Sequence, residues 1–144
     1  MSRKKILLAT VIVLLLLASG TGYYFYNKGP VDVQESNSIK TNASDLYELY
    51  LKGLPAVQKN YTGKVLLVSG EVYTISLNQQ KKQILLLKTN ADGAYINCTM
   101  EENTGNLRAH HTIKVKGICS GIGEGDVDLG IKGDVYITRC YLVK

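Results

Sequence analysis

No CxxC pair occurs among the three cysteines, Cys98, Cys119 and Cys140. That absence removes the ligand spacing of a structural zinc site, and strand cysteines do not restore it. GxSxG, HExxH and phosphate-loop patterns are missing too. The only paired carboxylates on one element are Glu101 and Glu102, at a strand end. With no nucleophile–base constellation, the sequence reads as a non-enzyme that needs no cofactor and no metal. A charge excess is also nearly absent from most of the chain. The formal net charge is +5, which raises a nucleic-acid partner. However, Arg3, Lys4, Lys5 and Lys28 account for four of the seventeen cations, and they flank the first apolar stretch. From Pro30 onward thirteen cations face twelve acids. An electrostatic footprint for nucleic acid needs clustered cations on the domain itself, so nucleic acid is not the favoured partner.

Apolar residues are concentrated at the start, in "MSRKKILLATVIVLLLLASGTGYYFYNKG". Residues 1–5 form a cationic tail. The uncharged run 6–26 is about 31 Å long as a helix, at ~1.5 Å per residue, which matches a bilayer core. Tyr23, Tyr24, Phe25 and Tyr26 close it as an aromatic interface belt. Three cations before the run outweigh Lys28 after it. The reading is therefore a single-pass anchor with its N-terminus cytoplasmic and the following domain extracytoplasmic, periplasmic in a Gram-negative cell. A cleaved signal peptide, cut near Ala18-Ser19-Gly20, is the rival; the run exceeds the ~7–15 apolar residues of such a peptide.

Residues 27–41 are polar, with Gly29-Pro30 as a break, and read as a linker. The domain proper is expected over 42–144. Asn42 and Asp45 have the spacing of a capping box opening a helix whose apolar face is Leu46, Leu49, Tyr50 and Leu54. Gly53 and Pro55 interrupt it, and Pro55 opens a second short turn through Lys59. Five strands follow at 64–75, 83–89, 93–100, 111–119 and 134–143. The third alternates cleanly, with Ala94, Ile96, Cys98 and Met100 on one face and Tyr95, Asn97 and Thr99 on the other. Gly70 suggests a bulge in the first strand, and a slip in alternation at Thr138-Arg139 suggests one in the last. The fold class is mainly β: a five-stranded barrel with one N-terminal helix, preceded by a transmembrane helix. Closure removes the edges that an open five-stranded sheet would expose.

The ordered segments "YTGKVLLVSGEVYTI", "INCTM", "IKVKGICSG" and "DVYITRCYLV" resemble the tRNA-anti-like OB-fold family of small bacterial envelope proteins, membrane-anchored or lipoprotein. The resemblance covers nearly the whole chain. It implies architecture and location rather than a mechanism. Two departures stand out. Many members carry a lipoprotein cysteine after the apolar run, and this chain has none. The loop before the last strand, brief in the family, is extended here to "SGIGEGDVDLGIKG".

On an OB barrel, Cys119 and Cys140 flank the enlarged 120–133 loop on neighbouring strands. A disulfide between them, one between Cys98 and Cys140, and three buried thiols are the open alternatives. OB folds bind across their second and third strands, beneath the loops after strands one and four. Tyr73, Tyr95 and Asn97 point outward there, with Arg139 at the last bulge, and are the candidate ligand-binding residues. Tyrosines on such a face stack on bases, sugars or peptide side chains. The expected function is a membrane-anchored extracytoplasmic binding module for a protein, peptide or glycan of the cell envelope; single-stranded nucleic acid is the alternative. Glu124, Asp126 and Asp128 echo the start of a calcium loop, but the twelfth position from Asp126 holds Ile137, so a solvated acidic turn is favoured. His110 and His111, adjacent before a strand, would point to opposite faces and make a poor chelate.

Overall fold

The computed structural model describes every residue except Met1, Lys28, Pro30 and Val127, and the side chain of Phe25. The flanking Lys28, the Pro30 of the expected break and the Phe25 ring of the aromatic belt thus lie outside the described residues. The chain divides into two compact units, 1–31 and 32–144.

The first unit is helix α1 (Arg3–Asn27). Its stretch Arg3–Tyr24 is long and apolar enough to cross a membrane. Three hydroxyls interrupt the apolar surface, and each is satisfied within the helix. Thr10, Ser19 and Thr21 all donate to carbonyls three or four residues earlier. That pairing removes the cost of an unbonded hydroxyl in hydrocarbon.

The second unit is a closed five-stranded barrel with an extra strand on its edge. Strand β1 (Ile39–Asn42) is followed by helices α2 (Ala43–Leu51) and α3 (Pro55–Tyr61). The barrel strands are β2 (Val65–Leu77), β3 (Gln83–Lys88), β4 (Tyr95–Met100), β5 (Thr112–Ile122) and β6 (Val135–Val143). The sheet order is β1-β2-β3-β4-β6-β5, and a β2–β5 pairing closes it. Strand β2 achieves closure by changing partners. Its first half, Val65 to Glu71, pairs with β5, and its second half, from Val72, pairs with β3. Gly70 sits at the changeover, where a Cβ would lie 3.0 Å from that of Ala43 and 3.3 Å from that of Leu87. Close approach, rather than a bulge, explains this glycine. The register shift itself falls between Val72 and Thr74, at Tyr73.

Two elements differ from the sequence reading. The 27–41 linker is not wholly a linker: Val33 is buried, and β1 pairs in parallel with Leu66–Ser69 of β2. The helix at 42–54 ends earlier, because Gly53 takes a φ of +60°, a left-handed stop. Leu54 then becomes the N-cap of α3, with Pro55 in the first turn, and is exposed. The buried face of α2 is Ala43, Leu46, Tyr47 and Tyr50. The expected cap is present: the Asp45 N–H donates to the Asn42 side chain at 2.8 Å. These α2 residues join Leu66, Val68, Val72, Leu85, Leu87, Ile96, Val115 and Ile137 in one core cluster.

Candidate functional site

Pairing across the barrel aligns its outward residues in rows. One row runs Thr74, Leu86, Asn97, Tyr136 across β2, β3, β4 and β6. In the next, Lys88 pairs with Tyr95. The bulge at Tyr73 turns that ring outward as well. It stacks on Tyr95 with centroids 4.7 Å apart and planes at 23°. The neighbouring Tyr73 phenol is the main cause that lifts Tyr95 above the ordinary tyrosine pKa. Tyr136, level with Asn97, packs over Gly123, where a Cβ would lie 2.7 Å from the ring. Tyr73 and Tyr136 remain 47% and 43% exposed, large fractions for aromatic side chains in regular strands. The result is an open face with three tyrosines around one asparagine.

The structure therefore brings Tyr73, Tyr95 and Asn97 onto one face. Arg139 is not grouped with the stacked pair. It lies in the bulge of β6, just before Cys140, which pairs with Met100 at the far end of β4 from Tyr95, about 15 Å away along the strand at ~3.3 Å per residue. Lys81 and Lys82, in the β2–β3 turn, stand at that same far end, and Lys82 is already paired with Glu101 at 2.8 Å. Tyr136 is the residue the sequence reading missed. The signal was present: buried Val135 and Ile137 put it outward in the same alternation that exposes Tyr95.

Asp134 anchors the tyrosine end. Its carboxylate accepts the Tyr95 backbone N–H at 2.9 Å. Burial raises its pKa, and the Tyr95 bond opposes the rise only in part. The raised value means that the fold favours the neutral acid. Its contribution to stability is complete below the unfolded value of 3.8 and is lost as pH rises through the folded value. Asp134→Asn keeps an acceptor oxygen without a charge. Thermal melts from pH 3 to pH 7 should show the variant gaining on the wild type as pH rises. A variant that instead falls behind with rising pH would contradict this account.

The remaining candidates resolve into structural roles. Cys119 and Cys140 do not form a disulfide; all three cysteines are buried free thiols. The reason is register. Cys119 pairs with Ile137, while Cys140 packs against Gly117. The Cys119 sulfur instead lies 3.1 Å from the Tyr50 hydroxyl, which also reaches Thr62 at 2.9 Å. In the enlarged loop, the Asp126 carboxylate accepts the backbone N–H groups of Asp128 and Leu129. It caps a small turn whose ends meet through Asp126 and Ile131. No group of three metal-ligating side chains occurs among the described residues. His110 pairs with Glu71 at 3.0 Å at the surface.

The barrel agrees with the family that the sequence matches. A family model described as tRNA_anti-like aligns with residues 1–129. The chain belongs to the tRNA-anti-like family. No curated protein matches it. Among solved structures, it is similar to a crystal structure assigned as an aspartyl-tRNA synthetase from Leishmania major Friedlin. The TM-score there is 0.44 at 12% identity, over 81% of this chain and 23% of that one. The chain thus spans less than a quarter of that protein's length. In this tRNA-anti-like barrel, β3 and β4 are the second and third OB strands. The turn at 78–82 and the loop at 123–134 are the two that frame the usual ligand surface. Tyr95, Asn97 and Leu86 lie on that surface.

Proposed function

We propose that the protein is a binding module held at a membrane by α1, with the barrel on the extracytoplasmic side. Its Tyr73–Tyr95–Tyr136 face would take a protein, peptide or glycan of the cell envelope. The observation that carries this reading is the exposed, stacked tyrosine pair beside Asn97 on the OB ligand surface. Aromatic faces stack on sugar rings and apolar side chains, while an amide donates and accepts hydrogen bonds at the edge. Near-neutral charge on the domain suits a ligand that is not a polyanion. The three cations before the apolar run support the orientation.

Crosslinking from native membranes tests the module. The wild-type chain should capture a partner, and Tyr95→Ala should reduce capture about tenfold or more, in line with the loss of an aromatic anchor. Full retention by Tyr95→Ala would remove this face from binding. A phosphatase fused after Lys144 should be active outside the membrane; an inactive fusion would overturn the orientation.

Single-stranded nucleic acid is the second reading. Lys88 pairs with Tyr95, and Lys81 and Arg139 lie beyond the other end of β4, so a strand laid along the face would meet cations at both ends. Oligonucleotide titration decides it: this reading requires affinity that falls as salt rises.

A further inference from the structure

Strand pairing gathers four lysines, scattered in the sequence at 40, 114, 116 and 144, onto one outer face of the barrel. β1 and β5 flank the first half of β2, and β6 lies beyond β5. One outward row runs Lys40, Leu67, Lys116, Tyr141 across β1, β2, β5 and β6. The next runs Asn42, Ser69, Lys114, Val143, and Lys144 follows Val143. Leu66, Val68 and Val115 alternate with these rows and are fully buried, which fixes the rows as outward. Strands lie ~4.8 Å apart and rise ~3.3 Å per residue, so the Lys40 and Lys116 backbones stand about 10 Å apart, and those of Lys114 and Lys116 about 7 Å. Lys40, Lys114 and Lys144 are exposed, and none of the four lysines is in an ion pair among the described residues. Neither row contains an acid. Asp32, in the turn before β1, directs its carboxylate to the Gln34 and Glu35 amides. A cleft of about 600 Å³ opens at the edge of this face. Met100, Lys116, Tyr141 and Lys144 help to line it, with Glu102 as the acid among the described lining residues.

We propose that this lysine face docks on the anionic phospholipid headgroups of the bilayer that holds α1. Two observations select that occupant. The first is charge: unpaired ammonium groups on one face attract a negative surface. The second is where the chain enters. The Gln34 carbonyl accepts a hydrogen bond from Lys116 at 2.7 Å, so the incoming segment is fastened to this face. Gln34 follows Asn27, the last residue of α1, by 34 − 27 = 7 residues. That is at most about 25 Å of extended chain at ~3.6 Å per residue, and a tether so short keeps the effective concentration of headgroups high. Tyr141, half-buried beside Lys116, has the aromatic body and polar tip that favour the headgroup level. Each lysine near an anionic surface strengthens attachment about fivefold, and salt screens the effect over about 8 Å at physiological ionic strength. Strands β3 and β4 take no part in the lysine rows, so docking leaves Tyr95 and Asn97 open to a partner.

The test uses the full chain in bilayer discs of phosphatidylcholine, alone or with about a third of phosphatidylglycerol. Reductive methylation with formaldehyde and cyanoborohydride, read by mass spectrometry, reports the exposure of each lysine. Lys40, Lys114, Lys116 and Lys144 should react at least about fivefold more slowly in the anionic discs at about 0.1 M salt, and at equal rates in both discs at about 1 M. Lys52, Lys59 and Lys132, outside this face, should keep one rate throughout. The variant Lys40→Gln/Lys114→Gln/Lys144→Gln removes three exposed side chains that make no hydrogen bond or ion pair among the described residues. Its Tm should hold, and its remaining Lys116 should react at the same rate in both discs. Equal rates for all four wild-type lysines in the two discs at low salt would overturn the proposal. So would protection by an added oligonucleotide but not by phosphatidylglycerol, which would make nucleic acid the occupant, or protection centred on Lys132. A chain that stays out of the discs would overturn the reading of α1 as an anchor, on which this docking rests.

Discussion

Tyr47→Ala is expected to destabilise the domain by about 3–5 kcal/mol, the range for removing a large aromatic side chain from a core. Tyr47 is fully buried and is the largest such side chain among the described residues. It lies on the face of α2 that packs into the barrel, and its hydroxyl donates to the Gly133 carbonyl at 3.1 Å. Burial and then the Asp134 carboxylate keep that phenol protonated, above its ordinary pKa. Against a typical stability of about 5–15 kcal/mol, the loss is a large fraction of what holds a domain folded. Urea unfolding should show the midpoint falling with little change in slope. Tyr47→Phe separates the two contributions: the ring stays, the hydrogen bond goes, and the cost should fall to about 1 kcal/mol. A Tyr47→Ala midpoint within error of the wild type would mean that α2 does not complete the core.

Gly133→Ala is the second large effect, at about 1–3 kcal/mol or more, and it acts through backbone rather than side chain. A Cβ at residue 133 would collide with the Gly123 carbonyl, and one at Gly125 would collide with that of Ile131. Neither obstacle can rotate away. The Gly123 N–H also donates to the Asp134 carbonyl, so the base of the loop is a backbone-to-backbone seam. Hydrogen exchange should speed up first at Gly123, Asp126 and Ile131, whose amides close the loop. Since Tyr47 bonds the Gly133 carbonyl, Gly133→Ala and Tyr47→Phe should not be additive in a double-mutant cycle. Unchanged exchange at those amides would show that the loop accommodates the methyl.

Strand positions were the most legible part of the fold. The alternation of 93–100 located β4 and correctly assigned both of its faces, and the broken alternation at Thr138-Arg139 located the bulge in β6. Both signals are local and have a period of two. Strand β1 gave no such signal: "IKTN" is short and polar, and its partner lies 27 residues away in β2. The face of α2 was misjudged because Leu54 was counted on a helix that Gly53 ends. Gly70 was assigned a bulge because sequence cannot distinguish a glycine required by φ from one required by a neighbour's Cβ. Within the site, Tyr73 and Tyr95 were visible as outward residues. Their stacking was not, because it depends on a bulge that moves Tyr73 across the β2–β3 register. The burial of Cys140 turned on the β6 bulge in the same way, since one inserted residue decides whether its sulfur faces the core.

Strand β1 also determines how the domain would respond to force. A pull on the residues that precede the barrel reaches it at the buried Val33, at Gln34, whose carbonyl accepts a hydrogen bond from Lys116, and along Ile39–Asn42. Because β1 runs parallel to β2, the load falls along the strand axis. The ladder bonds from Ile39 to Asn42 then share it as shear instead of opening one at a time. An attachment of this kind resists a pull without unzipping the barrel strand by strand.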